Sequence, residues 1–377
     1  MSINPNLFLT EFLKNDVNFF TGVPDSLLKE FCLCLDSIID KKHHIITSNE
    51  GNAISLASGN YLGSGMVPLV YMQNSGFGNA INPLLSLCDP DVYSIPLIIL
   101  VGWRGEPGIK DEPQHIKQGR VQIDLLKVLN LDYDIISKND KNFQEKISTG
   151  INKAKTLSRP FVFLIKKGTF LSSGISLNRK NEQKMFREDA LKVIIKCLDK
   201  DQIVVSTTGK TSREIYEVRE NRGESHEKDF LTVGSMGHCS SIALGIALAK
   251  PERSIVCIDG DGSMLMHLGS LTNIAVLKPK NFYYILINNE VHESVGGQYT
   301  AAKDIDLSSL VSSMGVFKQC KVSLKDEFEQ KLKEFFSTSG PVFIEVKIKP
   351  GSRKDLGRPK IPPAQNKLDF MKFIKKS

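Results

Sequence analysis

One aspartate and a pair of asparagines mark the part of the sequence best suited to bind a metal ion. Asp261 lies in the turn Gly260-Asp261-Gly262, and Asn288-Asn289 follows after one further helix and strand are predicted. Carboxylate, amide and carbonyl oxygens suit Mg²⁺, and phosphate oxygens and water can complete its octahedral shell. Gly262 lets a ligand approach the backbone closely. These residue types predict a magnesium ion that holds a diphosphate. The alternative is an ordinary turn followed by a polar strand end.

The elements around this turn form a predicted strand-helix-strand unit. Residues 254–259 are apolar and partly β-branched, which predicts a buried strand. Ser263 is a good N-cap, and the apolar spacing of residues 264–277 predicts one helix. Residues 282–287 then predict a second strand. Because the carboxyl ends of parallel strands meet in one crevice, Asp261 and Asn289 are expected to converge.

Other ionisable residues also follow predicted strands. Asp25 comes after the strand 17–23, and Glu50 comes after the strand 43–48 at the start of a small-residue helix. Asp25 can be explained as a helix cap, and Glu50 as a carboxylate stabilised by a helix N-terminus. His115 lies in a polar stretch, residues 102–119, that we predict to be an irregular functional loop at a strand end.

The alternation of strands and helices predicts an α/β protein with two doubly wound parallel-sheet domains and no central third domain. We place the first domain at residues 1–168, a polar linker at 169–185, the second domain at 186–349, and a basic surface tail at 350–377. A nucleotide-binding Rossmann module is disfavoured because no G-x-G-x-x-G motif opens a helix after a strand.

Composition narrows the class of protein. The chain has 377 residues, 41% apolar and 24% charged, with a net charge of +7 that is spread along the sequence. This charge is compatible with an anionic substrate, and no aromatic-interleaved basic stripe indicates nucleic acid. Seven cysteines without C-x-x-C spacing are expected to be small core residues in a reducing compartment. Since no apolar run is long enough to span a bilayer and no signal peptide is evident, we expect a cytoplasmic protein without membrane contact.

The segment from Gly260 to Asn289 resembles the cofactor motif of thiamin-diphosphate enzymes, in which Gly-Asp-Gly is followed by Asn-Asn. With Glu50 in the first domain, the chain resembles the decarboxylases of that family. It lacks the central domain of pyruvate decarboxylase, so it is similar to the smaller phosphonopyruvate and sulfopyruvate decarboxylases. It is more similar to the first group, through residues 22–26, 48–53, 102–119, 288–298 and 351–359. Glu290 and Val291 depart mildly from the family pattern, but the contact expected there is a backbone carbonyl.

The resemblance implies roles for individual residues. Glu50 would hydrogen-bond the aminopyrimidine of thiamin diphosphate, Met236 would hold the cofactor bent, and the carbonyl of Gly234 would accept from its amino group. The remaining expected cofactor contacts are Thr208, Gly209, Gly260, Asp261, Gly262, Ser263 and Asn289. The expected Mg²⁺ ligands are Asp261, Asn289 and the carbonyl of Val291. Asp25, His115 and His292 are candidates for proton transfer.

The implied reaction is decarboxylation of 3-phosphonopyruvate to phosphonoacetaldehyde and CO₂ in phosphonate biosynthesis. Its anionic 2-keto acid substrate would need cations, for which the candidates are Arg104, Lys110, Lys117, Arg353, Lys354 and Arg358, with Arg104, Lys117 and Arg353 preferred. The resemblance also implies a homo-oligomer, at least a dimer, whose active sites lie between subunits. The alternatives are decarboxylation of sulfopyruvate or another 2-keto acid, and a cofactor-binding protein without turnover.

Overall fold

The computed structural model describes residues 1–177, 179 and 181–375. The chain divides into two compact units. Unit 1 is Met1–Asn178 with Ser294–Gln298, and unit 2 is Arg179–Glu293 with Tyr299–Ser377. The change from the first unit to the second after residue 178 falls inside the stretch 169–185 that we predict to be a linker.

In the described part of unit 1, strands and helices alternate along the chain. The strands are β1 Phe20–Gly22, β2 His44–Ile46, β3 Leu69–Gln73, β4 Ile98–Gly102, β5 Asp132–Ile136 and β6 Phe161–Ile165. The helices are α1 Pro5–Lys14, α2 Lys29–Ile38, α3 Glu50–Ser64, α4 Phe77–Pro83, α5 Pro113–Val128 and α6 Phe143–Leu157, with a 3₁₀ turn at Asn74–Gly76 and a π-helical turn at Leu84–Cys88. The strands form one parallel sheet in the order β2-β1-β3-β4-β6-β5.

Both faces of this sheet are buried. Along β4, Ile98 and Leu100 belong to one apolar cluster, whereas Ile99 and Val101 belong to a second cluster on the other face. Successive side chains of a strand point to opposite faces, so a strand covered by helices on both sides has to be apolar throughout. This explains why the central strands β3, β4 and β6 are nearly continuous apolar runs.

Unit 2 has the same kind of architecture within its described residues. The strands are β7 Ile203–Ser206, β8 Asp229–Leu231, β9 Ile255–Gly260, β10 Phe282–Asn288, β11 Lys318–Val322 and β12 Val342–Lys347. The helices are α7 Arg187–Cys197, α8 Lys210–Asn221, α9 Cys239–Ala249, α10 Asp261–Met266, α11 Ser270–Leu277, α12 Leu307–Ser312, α13 Lys325–Phe336 and α14 Pro363–Lys375, with a 3₁₀ turn at Ala301–Lys303. The parallel strand order is β11-β12-β10-β9-β7-β8.

The two parallel sheets with flanking helices confirm the predicted fold class, but three local predictions were wrong. The helix predicted at 264–277 is two helices, α10 and α11, and it begins at Asp261 rather than after Ser263. The loop predicted at 102–119 ends at residue 112, because Pro113 at the first helical position starts α5. The tail predicted at 350–377 contains the helix α14, whose Phe370 is buried against Phe230.

The cysteines and the helices bear on two further expectations. All seven cysteines are free, and all are buried except Cys197 and Cys320, which are half-buried. Among the residues that the structure describes, none of the helices combines the length and the apolar character needed to cross a bilayer.

Candidate active site

Asp261 lies at the carboxyl edge of the unit 2 sheet, as the first residue of α10 directly after β9. Its side chain is buried, and the Thr300 hydroxyl donates to its Oδ2 at 2.5 Å. Burial raises the pKa of this carboxyl to about 6, since its hydrogen bonds only partly replace hydration. β10 pairs beside β9 with Ile287 opposite Gly260, so Asn289 emerges next to Asp261. The sequence-predicted convergence of these two residues therefore occurs.

The turn after β10 presents an amide and a carbonyl at the same edge. Glu290 has a φ of 65°, in the left-handed region, and its carboxylate is ion-paired with Lys347. The Val291 N–H donates to Asn289 Oδ1 at 3.2 Å, and the Val291 carbonyl accepts from the Glu293 N–H at 2.9 Å. Each of these oxygens retains a further lone pair.

These donors fit a magnesium ion. Asp261, Asn289 and the Val291 carbonyl form an all-oxygen set with one carboxylate, which suits a hard cation that completes its shell with phosphate oxygens and water. Across residues 1–177, 179 and 181–375, no three His, Cys, Asp or Glu side chains cluster as metal ligands. A cation held by Asp261, Asn289 and the Val291 carbonyl would complete its shell with oxygens from outside these three residues.

Glu293 orients Asn289, a role that no sequence pattern indicates. The Asn289 Nδ2 donates to Glu293 Oε2 at 3.0 Å, so the amide oxygen is the atom that could bind a cation. Arg187 and Lys210 bind the same carboxylate at 3.0 and 2.8 Å, and Arg187 also forms a bidentate pair with the buried Glu214. Burial opposes ionisation of Glu293, but the two cations outweigh it and bring its pKa to about 2. No spacing rule could reveal this network, because Arg187 is distant in sequence.

Gly262, next to Asp261, lies close to His292 and Met236. A Cβ at Gly262 would lie 3.2 Å from the His292 ring and 3.4 Å from the Met236 methyl group, so both of these predicted residues border Gly262. Burial lowers the pKa of His292 to about 4, which favours the neutral imidazole. Gly234 precedes Met236 in the segment before α9 and is half-buried.

Ser263 is engaged inside unit 2. Thr207 Oγ1 donates to its hydroxyl oxygen at 3.0 Å, and the Gly237 N–H also donates to it at 3.0 Å. The hydroxyl thus ties the start of α10 to the turns after β7 and before α9, rather than capping a helix. Thr208 and Gly209 lie in the turn between β7 and α8, where Gly209 has a φ of 91°.

Glu50 is a buried carboxylate in unit 1. It is the first residue of α3, and its Oε2 accepts from the Asn79 side chain at 2.8 Å. Its Oε1 lies directly over Gly76, where any Cβ would overlap with it. Burial raises the pKa of Glu50 and the Asn79 hydrogen bond partly offsets this, so the group can exchange a proton nearer neutral pH than an exposed glutamate.

Asp25 is a second buried carboxylate in unit 1. Its Oδ2 accepts from the Leu27 N–H at 2.9 Å and lies against Gly102, where a Cβ would overlap. Among the described residues, its Oδ1 has no hydrogen-bond partner. Burial raises the pKa of Asp25 to about 6, although the Leu27 N–H and the charge of Arg104 act in the opposite direction.

The predicted substrate cations differ in how far they are engaged. Arg104 donates to Asp111 and to the Ser26 hydroxyl, whereas Lys117 is exposed on α5. Arg353 is held by three carboxylates, namely Glu188, Glu217 and Asp355. This contact anchors the chain after β12 against α7 and α8, and it makes Arg353 an unsuitable partner for another anion.

Comparison with known proteins finds relatives over nearly the whole chain. The family described as "Thiamine pyrophosphate enzyme, N-terminal TPP binding domain" matches residues 7–127, and the corresponding C-terminal domain matches residues 207–346. The phosphonopyruvate decarboxylase of Streptomyces viridochromogenes is 33% identical over 375 residues, which cover 95% of this chain and 91% of that protein. The Streptomyces hygroscopicus phosphonopyruvate decarboxylase is 32% identical over 95% of this chain and 90% of its own length. The sulfopyruvate decarboxylase of Methanosarcina acetivorans is 29% identical over 98% of this chain and 99% of its own length.

Identity at this level over nearly the full length of both chains, together with the two matched cofactor domains, establishes the family. The chain belongs to the thiamin-diphosphate-dependent decarboxylases related to the phosphonopyruvate decarboxylases, and it is a carboxy-lyase.

Proposed function

We propose that this chain decarboxylates 3-phosphonopyruvate to phosphonoacetaldehyde and CO₂, with thiamin diphosphate and Mg²⁺ as cofactors, as a step of phosphonate biosynthesis. The observation that carries the proposal is a pair of buried carboxylates: Glu50, which accepts from Asn79, and Asp261, which accepts from Thr300. Glu50 would bind the aminopyrimidine of the cofactor, and Asp261 would bind the Mg²⁺ that holds its diphosphate. The choice of substrate is supported by the 33% identity to a phosphonopyruvate decarboxylase, against 29% to a sulfopyruvate decarboxylase.

The residues of unit 2 would hold the diphosphate end of the cofactor. Asp261, Asn289 and the Val291 carbonyl would bind Mg²⁺, with Asn289 kept in orientation by Glu293. Gly262 leaves room at the turn, and Met236 borders this space. When bound, thiamin diphosphate supplies a nucleophilic carbon and an electron sink for decarboxylation.

The residues of unit 1 would move protons. Glu50 presents Oε1 over Gly76 while Asn79 holds Oε2, so one oxygen is free to hold a proton at the ring nitrogen of the aminopyrimidine. Asp25, with a pKa raised to about 6, and His115 would exchange protons with substrate-derived groups. In unit 2, His292 would border the substrate as a neutral imidazole.

The phosphonate group would be bound by cations of the segment 104–117. Arg104 uses three of its five N–H donors on Asp111 and Ser26, so two stay available to an anion. Lys117 is exposed and free to reorient. Arg104 and Lys117 would therefore bind the phosphonate, whereas the three carboxylate partners of Arg353 would repel a second anion there.

The test measures CO₂ release from phosphonopyruvate, sulfopyruvate and pyruvate in parallel, with thiamin diphosphate and Mg²⁺ supplied together and separately. We expect the highest kcat/KM with phosphonopyruvate, and activity only when both cofactors are present. A higher kcat/KM with sulfopyruvate would reverse the choice of substrate.

A variant pair tests the proposed grip on the phosphonate. We expect Lys117→Ala to raise the KM for phosphonopyruvate with little change in kcat. Lys127→Ala, an exposed lysine on the same helix that pairs with Asp124, is the matched control and should leave KM unchanged. An equal effect of the two variants would exclude Lys117 from the substrate site.

A further inference from the structure

Asp111 is the centre of a hydrogen-bonded cluster in unit 1 that the proposed function leaves unexplained. Arg104 Nε donates to its Oδ2 at 2.8 Å and Arg104 Nη2 to its Oδ1 at 2.5 Å. The backbone N–H groups of Gly105 and Glu112 donate to the same carboxylate at 2.9 and 2.7 Å. These four N–H donors already occupy most of the acceptor capacity of the carboxylate, so Asp111 is poorly suited to bind a substrate directly.

The same carboxylate also contacts His115. The His115 Nδ1 lies 2.9 Å from Asp111 Oδ1, one helical turn away at the start of α5. Burial acts to raise the pKa of Asp111, but the hydrogen bonds from Arg104 and His115 outweigh it and lower the pKa, so Asp111 is ionised. An ionised carboxylate only accepts, and Nδ1 therefore carries a proton.

This contact determines which atom of His115 is reactive. In the neutral imidazole with a proton on Nδ1, Nε2 carries the lone pair. The His115 Nε2 is 3.5 Å from Gln73 Nε2, at the carboxyl end of β3. The charged groups that face His115 are Arg104, Asp111 and Glu112, and burial lowers its pKa despite the attraction of the carboxylates.

Arg104 extends the cluster towards the other buried acid of unit 1. Its Nη1 donates to the Ser26 hydroxyl at 2.9 Å, next to Asp25 in sequence, and its charge lowers the pKa of Asp25. Asp111 thus fixes a cation near Asp25 through two side-chain hydrogen bonds and the His115 imidazole through one. The two proposed proton-transfer groups share one positioning carboxylate.

We propose that Asp111 is a positioning residue that locks His115 as the Nδ1–H tautomer, which leaves the lone pair on Nε2 for proton transfer, and that holds Arg104 beside Asp25. The consequence for catalysis rests on the proposed function, because it requires His115 to exchange protons with the substrate. The consequence for the tautomer does not, since it can be observed in the chain without cofactor or substrate.

The first measurement is the tautomer of His115 by NMR of the full chain with ¹⁵N-labelled histidine, assigned by the signal that is lost in His115→Asn. We expect the wild-type ring to be protonated on Nδ1. In Asp111→Asn the amide can offer a donor to Nδ1, so the proton should shift to Nε2. A ring tautomer that is the same in wild type and Asp111→Asn would overturn the proposal.

The second measurement is the pH profile of kcat and the affinity for thiamin diphosphate. We expect Asp111→Asn to reduce kcat about 10²-fold or more, the usual size of a general acid–base contribution, and to alter the pH profile without weakening cofactor binding. A changed tautomer with an unchanged kcat and pH profile would refute the catalytic half. A wild-type chain without any decarboxylase activity would refute the proposed function, while the NMR result would still decide the tautomer.

Two controls separate positioning from damage to the fold. Asp124→Asn changes an exposed carboxylate on the same helix and should leave the tautomer and kcat at wild-type values. Trp103 reports on the loop itself, because its Nε1 donates to the Gly119 carbonyl at 2.9 Å. If Asp111→Asn alters the Trp103 emission, Asp111→Glu takes its place. The Asp111→Glu variant keeps a carboxylate acceptor near the Nδ1 of His115. The proposal then requires His115 to retain the Nδ1–H tautomer.

Discussion

Asp25 gives the sharpest quantitative prediction. Its carboxyl is buried, and its pKa rises from an ordinary 3.8 to about 6. Between pH 3.8 and about 6, Asp25 is therefore protonated to a greater extent in the folded state than in the unfolded state. The resulting loss of stability is absent below pH 3.8, grows as the pH rises, and is complete above about 6. The difference from 3.8 to about 6 corresponds to about 3 kcal/mol.

Replacing Asp25 by Asn removes this ionisation penalty while the shape of the side chain stays the same. The amide oxygen can still accept from the Leu27 N–H, but a buried amide NH₂ without a partner costs about 1 kcal/mol or more. We therefore expect Asp25→Asn to be more stable than wild type by about 1–2 kcal/mol at about pH 7. The gain in the free energy of unfolding should disappear near pH 4. The Asp25→Asn variant should also lose decarboxylase activity if Asp25 exchanges protons with the substrate.

The assay is urea unfolding without cofactor at one protein concentration, followed by tryptophan emission. Trp103 is the only tryptophan of the sequence and is buried in unit 1, so its signal reports on the unit that contains Asp25. Asp91→Asn, at an exposed carboxylate of the same unit, is the control and should show no comparable gain. A less stable Asp25→Asn at pH 7, or a difference that does not change with pH, would refute the reasoning.

Three further predictions concern the cofactor site. Gly76→Ala should slow exchange of the cofactor C2 proton, because the added methyl group would displace the Glu50 carboxylate. Gly78→Ala is the control and should leave the exchange rate unchanged, because the space around the added methyl group is open. Equal effects of the two variants would contradict the role assigned to Glu50. Glu293→Gln should weaken Mg²⁺ binding about 10–100-fold, because Asn289 loses the partner that orients it. The Arg187–Glu214 pair remains and should preserve the fold. An unchanged affinity in a Mn²⁺ titration would contradict this role of Glu293. If active sites form between two chains, mixing inactive Glu50→Gln and Asp261→Asn chains should restore activity, and a mixture that stays inactive would argue for sites within one chain.

Much of the fold and part of the site could be predicted because the relevant signals are local. Asp261 and Asn289 flank one strand-helix-strand unit, and parallel neighbours bring their carboxyl ends together. Pro113 also marks the start of α5, but the polar composition around it favours a loop, which is why the predicted loop extends to residue 119 instead of 112. For Ser263, its suitability as a helix cap concealed its contacts with Thr207 and Gly237.

The roles of Glu293 and Asp111 could not be predicted in the same way. Glu293 depends on Arg187, which lies 106 positions earlier, and such a pairing has no periodic or motif signature. Asp111 was only one of several ionisable residues in a stretch expected to be irregular. Its importance follows from the geometry that Pro113 and the first turn of α5 impose on His115.

The register between β9 and β10 limits how the chain can vary in length. Gly260 lies opposite Ile287, so one inserted or deleted residue within Phe282–Asn288 would reverse the faces of the buried strand and misplace Asn289 relative to Asp261. The break between α10 and α11 is different, because Gly269 is exposed and no ladder passes through it. Length variation among relatives should therefore be tolerated at this connection and eliminated by selection within the strand.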